Sequence, residues 1–119
     1  MGKKVLFVDD EGDWRFMSST YLKEAGYDVL TAKNGSEALL ISDGIKLDVI
    51  ILDVNLNGEN GVVLMKFLKR NHPGTPVILY TGMQHDDESI QTMLQNGAQQ
   101  YVRKGTMDEL LKAVEIAAK

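Results

Sequence analysis

The sequence predicts an α/β fold: a doubly wound, five-stranded parallel sheet with five helices. Two observations lead to this prediction. Five short runs rich in apolar and β-branched residues alternate with five segments of helical periodicity. The runs are apolar at consecutive positions, as expected for strands buried on both faces, and right-handed crossovers would join them into one parallel sheet.

The elements follow one another in strict alternation along the chain. We predict strands at 4–8, 27–30, 47–53, 76–81 and 99–103. We predict helices at about 13–25, from Asn34 to Gly44, through 62–71, at 87–96 and after Thr106. The third strand is the most apolar of the five, which indicates a central position in the sheet.

Several helix boundaries carry recognisable capping signals. Asn34 is followed three residues later by Glu37, and Thr106 by Glu109, which is the spacing of a capping box. Gly26 follows the first predicted helix at the place where a left-handed residue often ends a helix.

Size and composition fit one globular domain over residues 1–119. The chain is 44% apolar and 25% charged, with a net charge of −4, no cysteine and no basic stretch. Direct nucleic-acid binding, a disulfide framework and a thiolate metal site are therefore not expected. Without a run of about 20 apolar residues or a signal-peptide pattern, we expect no membrane association and a cytoplasmic location.

Polar and charged residues follow the apolar strands at one end. Asp9 and Asp10 follow the first strand, Asp53 ends the third, Thr81 ends the fourth, and Lys104 follows the fifth. In an open parallel sheet the carboxyl ends of the strands share one edge, where ligands bind. The sequence therefore predicts a site that combines three carboxylates, a hydroxyl and an ammonium group.

The predicted chemistry of this edge is phosphoryl transfer with a divalent cation. Two carboxylates about 5 Å apart repel by about 3 kcal/mol at an effective dielectric constant near 20, so Lys104 and a hard cation such as Mg²⁺ would offset the repulsion. Asp53 is the best candidate nucleophile, because a loop with room for reagents follows it. Lys104, Thr81 and the metal would stabilise the transferred group.

With these residues in order, the chain resembles the receiver domain of two-component response regulators over nearly its full length. The resemblance rests on Val8-Asp9-Asp10-Glu11, Asp53, Thr81-Gly82, Lys104 and typical connecting segments such as Asn96-Gly97-Ala98. It implies a flavodoxin-like fold like that of chemotaxis regulators, with strand order 2-1-3-4-5.

The resemblance also implies residue roles. Asp53 would be the phosphoacceptor. Asp10 would bind the metal directly, Asp9 mostly through water, and Asn55 through its backbone carbonyl. The metal would be Mg²⁺, for which Mn²⁺ can substitute. Thr81 and Tyr101 would form the conformational switch.

The implied partners are proteins. A sensor histidine kinase or phosphotransfer protein would supply the phosphoryl group, and a downstream effector protein, or an effector domain absent from this sequence, would read the surface of the fourth helix, fifth strand and fifth helix. The chain would catalyse only its own phosphorylation and dephosphorylation. We expect a monomer or a weak dimer, since the fourth helix lacks basic residues.

Two departures from the family pattern stand out. Gly105 follows the lysine where the family usually has proline, which predicts a looser loop around Lys104. Asn57 occupies a position, four residues after Asp53, where proline is also common.

Other interpretations remain. The chain could be a receiver-like interaction module that is never phosphorylated, or an aspartate-nucleophile phosphatase, although its acids lack the D-x-D spacing of that class. We interpret His72 and His85 as solvated loop histidines and Trp14 as a packing residue close enough to report on the metal.

Overall fold

The computed structural model describes residues 2–56 and 58–119, and Asn57 therefore lies outside the described residues. One sheet contains the five predicted strands. They are β1 (Lys4–Val8), β2 (Asp28–Ala32), β3 (Val49–Asp53), β6 (Val77–Thr81) and β7 (Gln100–Arg103). All neighbours are parallel, in the order β2-β1-β3-β6-β7. Because β6 and β7 are the fourth and fifth predicted strands, the predicted order 2-1-3-4-5 is confirmed.

The strand register aligns the carboxyl ends of the three central strands. Val8 of β1 lies opposite Leu52 of β3, and Asp53 lies opposite Tyr80 of β6. The residue that follows each strand, or ends it, is therefore delivered to the same edge of the sheet. This alignment gathers side chains that are far apart in the sequence.

Five helices cover the two faces of the sheet. They are α1 (Gly12–Glu24), α2 (Gly35–Ser42), α3 (Gly61–Asn71), α4 (Asp87–Gln95) and α5 (Met107–Ala117). Helices α1 and α5 pack on one face through Leu22, Leu110 and Val114, and α2, α3 and α4 cover the other. Every residue of β3 is buried, so the predicted central strand is confirmed.

The capping signals are confirmed. The side chain of Asn34 accepts a hydrogen bond from the Glu37 N–H (2.8 Å), and Glu37 accepts one from the Lys33 N–H (3.0 Å). Thr106 accepts from the Glu109 N–H at 3.4 Å. These contacts satisfy backbone donors that a helix start leaves unpaired.

Two features differ from the prediction. Residues 55–60, predicted as loop, contain two two-residue strands, β4 (Asn55–Leu56) and β5 (Glu59–Asn60), which pair antiparallel. Runs of two residues are too short to show any periodicity. The interpretation of His72 as a solvated histidine is wrong: it is buried just after α3, and its N–H continues the helical hydrogen bonds to the Leu68 carbonyl (2.8 Å).

Within residues 2–56 and 58–119, no helix combines the length and the apolar character that crossing a membrane requires.

Gly61, the first residue of α3, supports the strand end that carries Asp53. A Cβ added to Gly61 would collide with the Asp53 carbonyl oxygen and lie 2.9 Å from the Val54 Cα. We predict that Gly61→Ala lowers the free energy of unfolding by about 1–3 kcal/mol, because backbone must move to make room. Urea denaturation measures the change.

Gly74→Ala is the matched control, since no atom lies within 4 Å of a Cβ added there. This control should change the free energy of unfolding by less than about 0.5 kcal/mol. Equal unfolding midpoints for the two variants would contradict the proposed steric role of Gly61.

Candidate functional site

Three carboxylates meet at the carboxyl edge of the sheet. Asp9, Asp10 and Asp53 each have an oxygen atom within 4.8 Å of an oxygen of the other two. Asp9 is fully buried and Asp53 is 5% exposed, whereas Asp10 is partly exposed. The structure therefore brings together the three acids that the sequence predicted to converge, with one of them open to solvent.

The backbone fixes Asp9 as the chain leaves β1. Its N–H donates to the Ala32 carbonyl of β2 (3.0 Å), and its own carbonyl accepts from Arg15 Nη1 (2.7 Å). Its Oδ1 accepts from the Glu11 N–H (2.9 Å). With Oδ1 and both backbone groups engaged, only Oδ2 is left to face the ammonium of Lys104, 2.8 Å away.

Asp53 has one oxygen engaged by the backbone and the other by an ammonium group. Its Oδ1 accepts from the Asn55 N–H (3.0 Å), and its Oδ2 lies 3.1 Å from Lys104 Nζ. Burial raises the pKa of Asp53, and the hydrogen bonds from Asn55 and Lys104 only partly oppose this effect. An ionised Asp53 is therefore costly unless further positive charge is present.

The use of the Asn55 backbone carbonyl as a metal ligand stays a prediction.

Lys104 connects the carboxylates. Its side chain is 4% exposed, and Nζ lies 2.8 Å from Asp9 Oδ2, 2.8 Å from Glu11 Oε1 and 3.1 Å from Asp53 Oδ2. Burial acts to lower the pKa of Lys104, but the hydrogen bonds to the three carboxylates outweigh it and raise the pKa above its usual range. The side chain is thus an ammonium ion at neutral pH.

The backbone next to Gly105 is held from the neighbouring strand. The Lys104 N–H donates to the Thr81 carbonyl at the end of β6 (2.7 Å). This bond ties the backbone of Lys104 to the end of β6, and the looser loop expected from Gly105 stays a prediction.

Thr81 and the loop that follows it form the side of the site near α4. Thr81 is fully buried, and its Oγ1 accepts from the Met83 N–H (3.1 Å). The Met83 sulfur in turn contacts the Asn55 side-chain amide at 2.7 Å. The loop after β6 is thereby joined to the loop after Asp53.

Tyr101 is half-buried and anchored to the same loop. Its hydroxyl lies 2.8 Å from His85 Nδ1 and 3.3 Å from the Met83 carbonyl, to which it donates. The two rings meet edge to face, with centroids 5.7 Å apart. His85 is therefore a partner of Tyr101, not the isolated, solvated histidine that we expected.

The donor set fits a hard divalent cation. Asp9, Asp10, Glu11 and Asp53 bring four carboxylates to the site, against the ammonium of Lys104 and the guanidinium of Arg15. Carboxylate oxygens are the ligands that Mg²⁺ prefers, and the charge excess favours binding of a cation. These residues could hold Mg²⁺ or Mn²⁺.

Sequence reasoning missed contributions from three residues. The Glu11 carboxylate binds Lys104, and the rings of Trp14 and Tyr80 lie beside that ammonium, with centroids 5.5 and 5.8 Å from Nζ. Glu11 directly follows the acidic pair, which is the one available signal. No pattern in the sequence marks Tyr80, which reads as an ordinary strand residue.

We predict that Asp53→Asn raises the unfolding midpoint at pH 7 in the absence of divalent metal. Burial raises the pKa of Asp53 in the folded protein, so this group favours folding most below its unfolded pKa. That contribution is lost as the pH rises through the folded pKa. At neutral pH the ionised carboxylate is therefore unfavourable, and the neutral amide removes this cost while Lys104 keeps Asp9 and Glu11 as partners.

Thermal unfolding in a chelating buffer at pH 7 and at pH 4 measures the effect. The difference between Asp53→Asn and the unmodified protein should be smaller at pH 4 than at pH 7, because the raised pKa of Asp53 favours its protonation as the pH falls. Asp43→Asn, at an exposed position after α2, is the control and should leave the midpoint nearly unchanged. A lower midpoint for Asp53→Asn at pH 7 would contradict the electrostatic argument.

Known proteins resemble this chain in both sequence and fold. Residues 5–115 match the response regulator receiver domain family. The chain is 38% identical over 106 residues to the phosphate regulon transcriptional regulatory protein PhoB of Pseudomonas aeruginosa, covering 87% of this chain and 46% of that protein. It is 32% identical over 126 residues to the alkaline phosphatase synthesis transcriptional regulatory protein PhoP of Bacillus subtilis, covering 99% and 52%. The chain thus spans about half the length of these curated relatives.

Solved structures agree with the sequence match. The Vibrio cholerae chemotaxis protein CheY4 superposes with a TM-score of 0.90 at 33% identity, covering 98% of this chain and 99% of that one. A Burkholderia pseudomallei response regulator, solved with a phosphorylated aspartic acid, a calcium ion and citrate, gives a TM-score of 0.87 at 26% identity over 98% of this chain and 68% of that one. By sequence and by fold, the chain belongs to the response regulator receiver domain family of two-component signalling.

Proposed function

We propose that the chain accepts a phosphoryl group on Asp53 and signals through the resulting change in its surface. One observation carries the proposal. The Asp53 carboxylate is 5% exposed, lies within 4.8 Å of two further acids and has an ammonium 3.1 Å from its Oδ2. A carboxylate in these surroundings can act as a nucleophile, with cationic groups ready to receive the charge of the incoming group.

The phosphoryl donor is a phosphohistidine on a sensor histidine kinase or phosphotransfer protein, or a small phosphodonor. An Asp53 oxygen attacks phosphorus, the P–N bond to the donor histidine breaks, and the electron pair leaves with the imidazole. Lys104 stabilises the charge on the phosphoryl oxygens, and Thr81 donates a hydrogen bond to one of them. Thr81 Oγ1 accepts from the Met83 N–H, which leaves its own proton available for this hydrogen bond.

Asp9, Asp10, Asp53 and the Asn55 backbone carbonyl would hold Mg²⁺, with Mn²⁺ as a substitute. When bound, the ion would offset carboxylate repulsion and stabilise negative charge on the phosphoryl group. The partial exposure of Asp10 leaves solvent access for the ion. The relative from Burkholderia pseudomallei, crystallised with both a phosphorylated aspartic acid and a calcium ion, supports pairing of phosphate and metal in this family.

The signal passes through Thr81 and Tyr101 to the surface of α4, β7 and α5. A phosphoryl group adds a charge of about −2, which draws the Thr81 hydroxyl and Lys104 towards Asp53. The loop after β6 moves with Thr81, and Tyr101 is anchored on that loop through the Met83 carbonyl. Phosphorylation thereby shifts the population of Tyr101 positions and of the surface around them.

The partner that reads this surface is an effector protein, or an effector domain of a longer protein. Neither nucleic acid nor a membrane is a direct partner, and we place the protein in the cytoplasm as a monomer or weak dimer. It is a phosphoryl acceptor that catalyses only its own phosphorylation and dephosphorylation. An interaction module that is never phosphorylated is the competing function, and the next experiment separates the two.

We predict that an acyl phosphate with Mg²⁺ adds one phosphoryl group to the protein and that Asp53→Asn abolishes the addition. The adduct should be stable in acid and labile in base, as expected for an acyl phosphate. Intact mass spectrometry before and after base treatment measures it. Asp43→Asn is the control and should be modified like the unmodified protein.

Full incorporation of acid-stable, base-labile phosphate into Asp53→Asn would disprove the assignment of the phosphoacceptor. Absence of incorporation into the unmodified protein, with both acyl phosphate and a phosphorylated kinase domain, would favour the interaction module.

We also predict that Mg²⁺ changes the fluorescence emission of Trp14, the single tryptophan of the chain. Its ring centroid lies 5.5 Å from Lys104 Nζ, and the ammonium must share its carboxylate partners with a bound cation. Titration with MgCl₂ at constant ionic strength measures the change in emission. Asp10→Asn should lower the apparent affinity for Mg²⁺ in this titration at least tenfold. An unchanged spectrum at tens of millimolar Mg²⁺ would refute the placement of the metal site.

A further inference from the structure

Two aromatic rings lie beside the ammonium of Lys104. Its Nζ lies 5.5 Å from the centroid of Trp14 and 5.8 Å from that of Tyr80. Both distances are within the range of about 6 Å in which a cation is attracted by a ring quadrupole. The two rings also contact each other edge to face, with centroids 6.0 Å apart and planes at 84°.

Both rings of the aromatic pair belong to regular secondary structure, Trp14 to α1 and Tyr80 to β6. Tyr80 is fully buried on β6 and packs edge to face on Phe7, which lies on β1 of the same sheet, with ring centroids 6.0 Å apart. Trp14 lies in the first turn of α1, directly after the acidic residues of the β1–α1 loop. Because a strand and a helix hold the two rings in place, the rings limit the positions that the Lys104 side chain can adopt.

The rings matter because three carboxylates contact the ammonium, and one of them, Glu11, lies at the surface. Glu11 is 58% exposed and lies 2.8 Å from Nζ, so it can draw the ammonium towards solvent and away from Asp53, which lies 3.1 Å from it. A lysine side chain has many rotamers, and Gly105 adds backbone freedom next to it. Contacts with fixed rings reduce this freedom and exclude water from one side of the charge.

We propose that Trp14 and Tyr80 are positioning residues that hold the Lys104 ammonium against Asp53. We call these two rings the aromatic seat. The aromatic seat restrains the ammonium, whereas Gly105 does not restrain the backbone next to Lys104. The consequence for phosphoryl transfer rests on the proposed function, because a seated ammonium is in place to receive the charge of the phosphoryl oxygens. The position of the ammonium itself is independent of that function.

The first experiment observes the seat in the unphosphorylated, metal-free protein. Ring currents should shift the ε-CH₂ resonance of Lys104 upfield from those of the other lysines in ¹³C-lysine spectra, with Lys104→Arg used for assignment. Trp14→Leu should move this resonance towards the others, and Trp14→Phe should retain much of the shift. Phe16→Leu, which removes an exposed ring from the same helix, should leave it unchanged.

An ordinary ε-CH₂ shift for Lys104 in the unmodified protein would overturn the seat. So would an upfield shift that Trp14→Leu leaves intact. Trp14 is only half-buried, so these variants should fold, and the remaining lysine resonances report whether they do.

The second experiment measures the rate of Asp53 phosphorylation by an acyl phosphate at saturating Mg²⁺. Trp14→Leu should lower the maximal rate about fivefold, the size expected for one partly desolvated cation–π contact. The half-saturating donor concentration should stay the same. Trp14→Phe should restore most of the rate, and Phe16→Leu should match the unmodified protein. A rate within twofold of normal in Trp14→Leu, with the ring-current shift lost, would overturn the positioning role.

The two experiments separate the seat from the proposed function. An unmodified protein that shows the upfield Lys104 resonance but accepts no phosphoryl group would retain the seat and refute phosphorylation at Asp53.

Discussion

The ion pairs of Lys104 hold together the edge of the sheet on which the site is built. One ammonium, almost removed from solvent, lies within about 3 Å of carboxylates from three separate positions in the chain. Removing the ammonium would leave buried carboxylates without a partner, which typically costs several kcal/mol, whereas the intact set contributes little net stability. The main effect of these ion pairs is therefore to hold the Lys104 ammonium next to Asp9, Glu11 and Asp53, and their net contribution to the stability of the fold is small.

The parallel sheet makes this cluster possible. Strands β1, β3 and β6 end at the same level, so Asp9, Asp53 and Thr81 meet although more than 70 residues separate the first from the last. The β6–β7 pairing then brings Lys104 to the same edge, since its N–H bonds to the Thr81 carbonyl. Helices on both faces bury the strands, so the functional groups of the site lie at the end of the sheet rather than on its faces.

The site has more acids than its single lysine can neutralise. Burial raises the pKa of Asp53, whereas the ammonium of Lys104 stays charged, so one more cationic group would relieve the remaining repulsion. A divalent metal would supply this positive charge. The same charge would stabilise the negative oxygens of a phosphoryl group on Asp53.

Much of the fold and of the site could be predicted because both depend on local patterns. Consecutive apolar residues mark β3 as a buried strand, and the spacing of Asn34 and Glu37 marks a helix start. The convergence of Asp9, Asp53 and Lys104 follows from strand ends in a parallel sheet. Strand pairing order followed from the resemblance to a family, since it depends on contacts between distant segments.

What could not be predicted depends on three-dimensional proximity without a sequence pattern. Tyr80 occupies a strand position that any apolar residue could fill, and only the structure shows its ring beside Lys104. The contact between His85 and Tyr101 joins a loop to a strand, and loop conformation is poorly determined by local sequence.

Paramagnetic broadening by Mn²⁺ tests most directly whether the convergent carboxylates form one metal site. In ¹H–¹⁵N spectra, substoichiometric Mn²⁺ should broaden the amides of Asp10 and Asn55 first and leave those of exposed acidic residues on α4, such as Asp87 and Glu88, sharp. Broadening that begins at α4, or that spreads evenly over the acidic surface, would contradict a metal site at the carboxyl edge of the sheet.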